Sequence, residues 1–149
     1  MSSPLVLIVN GPKLNTLGTR EPEIYGTTTL AQIEEMLRKR AAELDLDLEF
    51  FQSDVLDELI RAIRGARERA AAIVMNPAAF THYALALRDA VEEAGVPLYE
   101  VHLSNIYARE TFRRHSVISP VAAGVVCGLG PAGYVAALEA AARKLKGNA

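Results

Sequence analysis

The chain carries a single cysteine, Cys127, inside the apolar run VVCGLG. One cysteine excludes an internal disulfide and fits a reducing compartment, with Cys127 acting as a small buried hydrophobe. Neither sign of charge is in excess: 16 Lys and Arg face 18 Asp and Glu, for a formal net charge of -2. That balance leaves no electrostatic footprint for nucleic acid. The basic segment and cleavage site of a secretory signal are missing. His82, His102 and His115 do not show metal-ligand spacings. There is no P-loop and no G-x-S-x-G elbow, and GLGPAG at 128–133 lacks the acidic partner and further strand of a dinucleotide site. The uncharged stretch 117–138 is long enough to span a bilayer, but Pro120, Gly124, Gly128, Gly130, Pro131 and Gly133 interrupt it. It reads as a strand, a turn and the start of a helix. The expectation is a soluble, cytoplasmic protein with no metal, no cofactor and no membrane or nucleic-acid partner.

Half of the 149 residues are hydrophobic and 23% are charged, an ordinary globular composition. No linker, repeat or low-complexity tract divides the chain, so residues 1–149 form one domain. Apolar runs at 5–9, 45–52, 71–75, 97–101 and 121–127 predict five strands. Helical spacing predicts helices at 30–44, at 56–63, from Thr81 to 94 and from Pro131 to about 146, with a short helix near 108–114. Thr29 and Gln32 have capping-box spacing, Ser53 and Asp54 are candidate caps, and Gly95 with Pro97 forms a stop signal. Five βα repeats with continuously apolar strands predict an α/β, flavodoxin-like fold. Its parallel five-stranded sheet would run in the order 2-1-3-4-5 with helices on both faces.

In such a sheet, ligands bind beyond the carboxyl ends of the strands near the switch point. Asn10, Asn76 and His102 stand there, after the first, third and fourth strands. A loop of about 18 residues follows the first strand, a length that in compact domains marks function. It holds Lys13, Asn15, Arg20, Glu21 and Tyr25, with Gly18 and Gly26 as hinges. Arg20, Arg109, Arg113 and Arg114 add positive charge at the same edge. A guanidinium beside Tyr25 would favour its phenolate. Glu100 and His102, two apart on a strand, point to one side, and a carboxylate beside an imidazole orients it. These groups suit proton transfer around an anion.

The segments NGPKLNTLGTREPEIYG, NPAAFTHYALALRDA and EVHLSNIYARETFRRHSVISPVAAGVVCGLGPAGY resemble the type II 3-dehydroquinate dehydratases of the shikimate and quinate pathways. The resemblance runs from Leu5 to about Glu139. It implies cofactor-free anti elimination of water from 3-dehydroquinate through an enolate, in a homododecamer built as a tetramer of trimers. It implies that Tyr25 is the base, that Arg20 holds it as phenolate on a closing loop, and that His102, oriented by Glu100, protonates the leaving hydroxyl. Asn76, His82, Ser104, the backbone around Leu103, and Arg113 would hold the carboxylate and hydroxyls, with Asp89 reaching a neighbouring subunit's site.

Three departures stand out. Lys13 replaces the usual Asn of G-P-N-L-N, which helps hold a water against the enolate. Asp54-Val55-Leu56-Asp57 replaces Asn-x-Glu-Gly, and Tyr83 and Tyr107 stand where Thr and His are common. Lys13 keeps open an alternative: a weakly active or non-catalytic relative that binds another hydroxylated cyclic acid. A flavin- or phosphate-binding module of the same fold is a third, distant reading.

Overall fold

The computed structural model describes residues 3–19 and 21–147 and not the side chain of Tyr25. Strands β1 (Leu5–Asn10), β2 (Asp47–Gln52), β3 (Ala72–Asn76), β4 (Leu98–His102) and β5 (Gly124–Cys127) are all parallel and lie in the order β2-β1-β3-β4-β5. The helices are α1 (Pro22–Tyr25), α2 (Leu30–Leu44), α3 (Leu56–Ala66), α4 (Leu85–Ala94) and α5 (Ala132–Leu145). Strand periodicity divides the core in two. Val6 and Ile8 of β1 pack with Val74, Val101, Leu37 and Tyr134 beneath α2 and α5. Leu7 and Val9 pack with Ile73, Met75, Ile63 and Leu87 beneath α3 and α4. Both faces are covered, so these strands are apolar throughout, as in buried parallel sheets generally.

Local chemistry sets most boundaries. At α2 the Thr29 hydroxyl accepts the Gln32 N–H at 3.1 Å and the Gln32 side chain accepts the Thr29 N–H at 2.9 Å, closing the expected capping box. Elsewhere the structure differs. Helix α3 is capped by Val55 without a side-chain bond; Ser53 Oγ, two residues before it, accepts the Val55 N–H, and Asp54 turns away to other partners. Thr81 does not open α4. It lies in a 3-10 turn, Ala78–His82, and the extended φ of Tyr83 separates that turn from α4. The segment near 108–114 is two 3-10 turns, Ile106–Ala108 and Thr111–Arg114, parted by extended backbone at Arg109 and Glu110. Strand β5 begins at Gly124 because Ser119–Val121, with Pro120 inside, forms another such turn.

The uncharged stretch resolves into that turn, β5 and the first half of α5. Among the described residues no helix is long and apolar enough to cross a membrane.

Candidate active site

The sheet brings the carboxyl ends of β1, β3 and β4 side by side. Asn10 and Asn76 are direct neighbours in register. Gly11 then crosses the end of β3, its N–H donating to Asn76 O at 2.8 Å. A Cβ on residue 11 would stand 2.5 Å from Pro77 O, so the crossing requires glycine. The long loop starts from this crossing. Lys13 adopts the left-handed region at φ 65, and its N–H donates to Asp54 Oδ1 at 2.8 Å. Gln52 Nε2 links Asp54 Oδ1 and Gly11 O, each at 3.1 Å, which ties the loop's root to β2. Leu14 and Leu17 are buried and hold the loop's first turn against the core.

At β4, Glu100 is fully buried and carries the densest polar network in the site. Its carboxylate accepts from Ser119 Oγ at 2.7 Å, from Ser116 Oγ at 2.9 Å, and from His102 Nε2. Ser116 Oγ itself accepts the N–H groups of Ile118 at 3.1 Å and Ser119 at 3.0 Å, so its hydrogen is aimed at the carboxylate. Burial alone would raise the Glu100 pKa; hydrogen bonds from His102, Ser119 and Ser116 and the His102 charge reverse that, and the net shift is downward. The carboxylate therefore stays ionised, and it fixes the hydrogen of the His102 ring on Nε2.

His82 has the opposite arrangement. Its Nδ1–H donates to the carbonyl of His115 at 2.8 Å, and its ring meets Phe112 edge-on with centroids 6.1 Å apart. Burial lowers its pKa, opposed by the His115 bond and aided by His102, Arg113 and Arg109. A neutral His82 with its hydrogen on Nδ1 has only an acceptor left at Nε2. The two histidines thus keep different nitrogens for a ligand.

A third network joins the other two strands. Asn76 Oδ1 accepts the Ala78 N–H at 3.1 Å, Asn76 Nδ2 donates to Tyr134 Oη at 3.1 Å, and Tyr134 Oη donates to Asn10 Oδ1 at 2.6 Å.

These groups surround a pocket of about 240 Å³. Lys13, Leu14, Leu17, Asn76, Ala78, His82, His102, Leu103, Ser104, Arg109 and Arg113 all line it. Arg109 Nη1 donates to Ser104 Oγ at 3.4 Å, and Arg113 Nε donates to Glu110 at 2.8 Å. Among the described residues three cations and no carboxylate line the pocket, so it favours an anionic ligand. Among the described residues no three His, Cys, Asp or Glu side chains are grouped to hold a metal ion.

Of the residues expected from sequence, Lys13, Asn76, His82, His102, Leu103, Ser104, Arg109 and Arg113 meet in this pocket, with Glu100 directly behind His102. Arg114 does not line it. Asp89 is exposed on α4, away from the pocket of its own chain. Tyr25 ends the one-turn helix α1 on the loop; its side chain and all of Arg20 lie outside the described residues. Sequence reasoning missed Ser116, Ser119 and Tyr134. The two serines look like ordinary turn residues, and Tyr134 looks like an apolar position of an amphipathic helix. Only the pairing of strand ends reveals their partners.

A doubly wound parallel sheet with a cation-lined pocket at its switch point, holding a buried carboxylate–imidazole pair, defines a class of small-molecule α/β enzymes. Residues 4–142 match the family Dehydroquinase class II, and the chain belongs to that family. It is 53% identical to a 3-dehydroquinate dehydratase of Pelotomaculum thermopropionicum, over 92% of this chain and 95% of the relative. It is 49% identical to a protein of Verticillium alfalfae named catabolic 3-dehydroquinase, over 95% and 94% of the two chains. Among solved structures it is similar to the type II dehydroquinase of Butyrivibrio crossotus, with a TM-score of 0.91 and 36% identity over 93% of this chain and 97% of that one.

Proposed function

We propose that this chain dehydrates 3-dehydroquinate, and that its single domain supplies most of the active site. The observation that carries the reading is the Glu100–His102 pair, set in a cation-lined pocket beside a histidine with only an acceptor left for the ligand. Tyr25, as a phenolate held by Arg20, takes a proton from the carbon next to the carbonyl, and the C–H electron pair moves into an enolate. The enolate then collapses and expels the hydroxyl. His102 gives that hydroxyl a proton, so that water leaves and a conjugated enone remains. Glu100 acts through His102: it fixes the ring and balances its charge while the proton is held.

Arg113 and Arg109 hold the substrate carboxylate. His82 Nε2 accepts from a ring hydroxyl, and Asn76, Ser104 and the Leu103 backbone complete the binding set. Lys13 lines the pocket at the position where the resemblance implies Asn, and its ammonium stabilises negative charge on the carbonyl oxygen. It does not form an imine, because its side chain is exposed to solvent.

Self-association belongs to the same reading. Tyr83, Leu85, Tyr107 and Phe112 are each about 60% exposed around the pocket and the start of α4, an apolar surface suited to a second copy. Among the described residues the pocket's own chain places no carboxylate on its wall, and Asp89 of a neighbouring subunit supplies one. The assembly is a homododecamer, a tetramer of trimers, acting in the cytoplasm.

The deciding experiment adds 3-dehydroquinate to the purified protein and follows enone absorbance. The absorbance should rise, and borohydride added with substrate should not inactivate the enzyme. A substrate that binds and raises the melting temperature without forming enone would establish the non-catalytic alternative. Inactivation with a mass adduct on Lys13 would establish an imine route instead. Scattering should report an oligomer at micromolar chain; monomers would remove the shared site.

A further inference from the structure

The three hydrogen bonds around Tyr134 share one direction, and a peptide group sets it. The Ala78 N–H can only donate, so the Asn76 amide must turn its oxygen toward Ala78. Asn76 Nδ2 then faces Tyr134 Oη and donates to it. The phenol hydrogen is left to donate to Asn10 Oδ1, at 2.6 Å. Amide, phenol and amide are thus ordered in series by a backbone donor that no side-chain rotation can reverse.

The relay lies where rotation would otherwise be easy. An Asn side chain turned by half a revolution has nearly the same shape, but its donor and acceptor are exchanged. Asn76 is 4% exposed, Asn10 1% and Tyr134 0%, so no bulk water replaces a lost partner. One hydrogen of the Asn76 amide has no place in the relay, and Asn76 lines the pocket. Phenylalanine would fill the Tyr134 site equally well against α2 and β4; the hydroxyl is needed only by the two amides. Burial pushes the Tyr134 phenol well above its ordinary range, so it remains a neutral hydroxyl with one hydrogen to give.

We infer that Tyr134 and Asn10 are positioning residues: the Ala78 N–H sets the direction of the Asn76 amide, and the Tyr134–Asn10 pair holds its plane with the remaining N–H toward the pocket, so that this wall of the site accepts only an oxygen acceptor of the ligand. The proposal rests on the dehydratase reading for the identity of that ligand. It assigns a carbonyl, carboxylate or hydroxyl oxygen lone pair of 3-dehydroquinate to Asn76, and it assigns a job to a tyrosine that touches no substrate.

The test compares steady-state kinetics of the assembled wild-type enzyme with Tyr134→Phe, Asn76→Ala and the double variant, with circular dichroism and scattering as checks of fold and assembly. Tyr134→Phe should lower kcat/KM by about 10-fold, the worth of one oriented hydrogen bond, chiefly through KM. In the Asn76→Ala background the same change should have less than about a 2-fold further effect, because the group it positions is gone. Asn10→Ala reaches the relay from its far end and should reproduce the Tyr134→Phe pattern, which keeps the test alive if Tyr134→Phe fails to assemble. A full 10-fold loss that persists in the Asn76→Ala background would assign Tyr134 a structural role only. Wild-type kinetics in Tyr134→Phe or Asn10→Ala would overturn the proposal. A wild-type enzyme that forms no enone would instead overturn the dehydratase reading.

Discussion

The groups on β3 and β4 and those on the segment 11–26 form opposite walls of one pocket under different physical terms. Asn76, Glu100 and His102 are buried, and each has a hydrogen-bonded partner set by a backbone group or a second side chain. The loop wall is mostly exposed beyond Leu17, and it passes through the left-handed region at Lys13, Gly18, Glu21 and Gly26. Its tertiary anchors gather at its root, through Gly11, Lys13 and the buried Leu14 and Leu17. One wall is built before the ligand arrives. The other is hung from a fixed point and suits closure over a ligand. Electrostatic stabilisation needs the first arrangement, because dipoles that must reorganise lose most of their effect. Water exclusion and substrate entry need the second.

Removing Tyr25, the proposed base, should have the largest effect. Tyr25→Phe is expected to lower kcat by roughly 100- to 10,000-fold with fold and assembly unchanged. Near-normal turnover would move the base to the rigid wall and end the division of labour. Glu100→Gln strikes that wall, leaving His102 in place but without its anionic partner. A kcat loss on the order of 100-fold, with KM little changed, is expected from a weakened general acid. A pure rise in KM would make the pair a binding device.

Acid should weaken the rigid wall in two stages. Folding lowers the pKa of His82 from 6.5, so the unfolded chain takes up that proton first and stability falls as pH drops below about 6.5. Folding also lowers Glu100 from 4.5, so its contribution is present above that value and is lost as pH falls through its folded pKa. Urea midpoints at fixed protein concentration should record both stages, with Glu100→Gln erasing the lower one and His82→Gln the upper. A midpoint flat from pH 7 to 4.5 would contradict the first stage, and one that stays flat on further acidification would contradict the second.

Gly11→Ala attacks the joint between the walls. A methyl group 2.5 Å from Pro77 O forces the strand ends apart, with an expected destabilisation of about 1–3 kcal/mol in denaturant melts. An unchanged midpoint would mean that the loop root yields freely. The smallest effect belongs to Lys13→Asn. Asparagine adopts φ 65 more readily than lysine, so a gain of about 0.5 kcal/mol is expected, together with a higher turnover if the amide again holds a water at the enolate. A loss of turnover would give Lys13 a part of its own in the reaction.

The rigid wall was the more legible half in one respect and the less legible in another. Apolar runs, Gly-Pro breaks and helical spacing are local signals, and they located five strands, α2 to the residue, and the order of the sheet. Asn10, Asn76 and His102 could be named because each closes an apolar run. Their partners could not. Ser116 and Ser119 lie beyond the next turn, and Tyr134 sits 124 residues from Asn10. Thr81 carried a cap signal, yet the left-handed Ala78 after Pro77 makes a separate turn and delays α4 to Leu85. Lys13 was visible as a change of chemistry, whereas its cost to the backbone depends on a φ angle that sequence alone does not print.

The distance between Asn10 and Tyr134 also sets an order of events. Chains emerge amino end first, and contacts of high sequence separation form only after the intervening loop entropy has been met. Strand β1 is made almost at once, yet its terminal amide waits for the last helix before it acquires a partner. A nascent chain that stops before α5 has every strand of the sheet but an Asn76 amide held by the Ala78 N–H alone. Competence therefore arrives late in the life of each chain, with the docking of its final helix, and a product shortened at its carboxyl end would carry the pocket's outline without the phenol that steadies its amides.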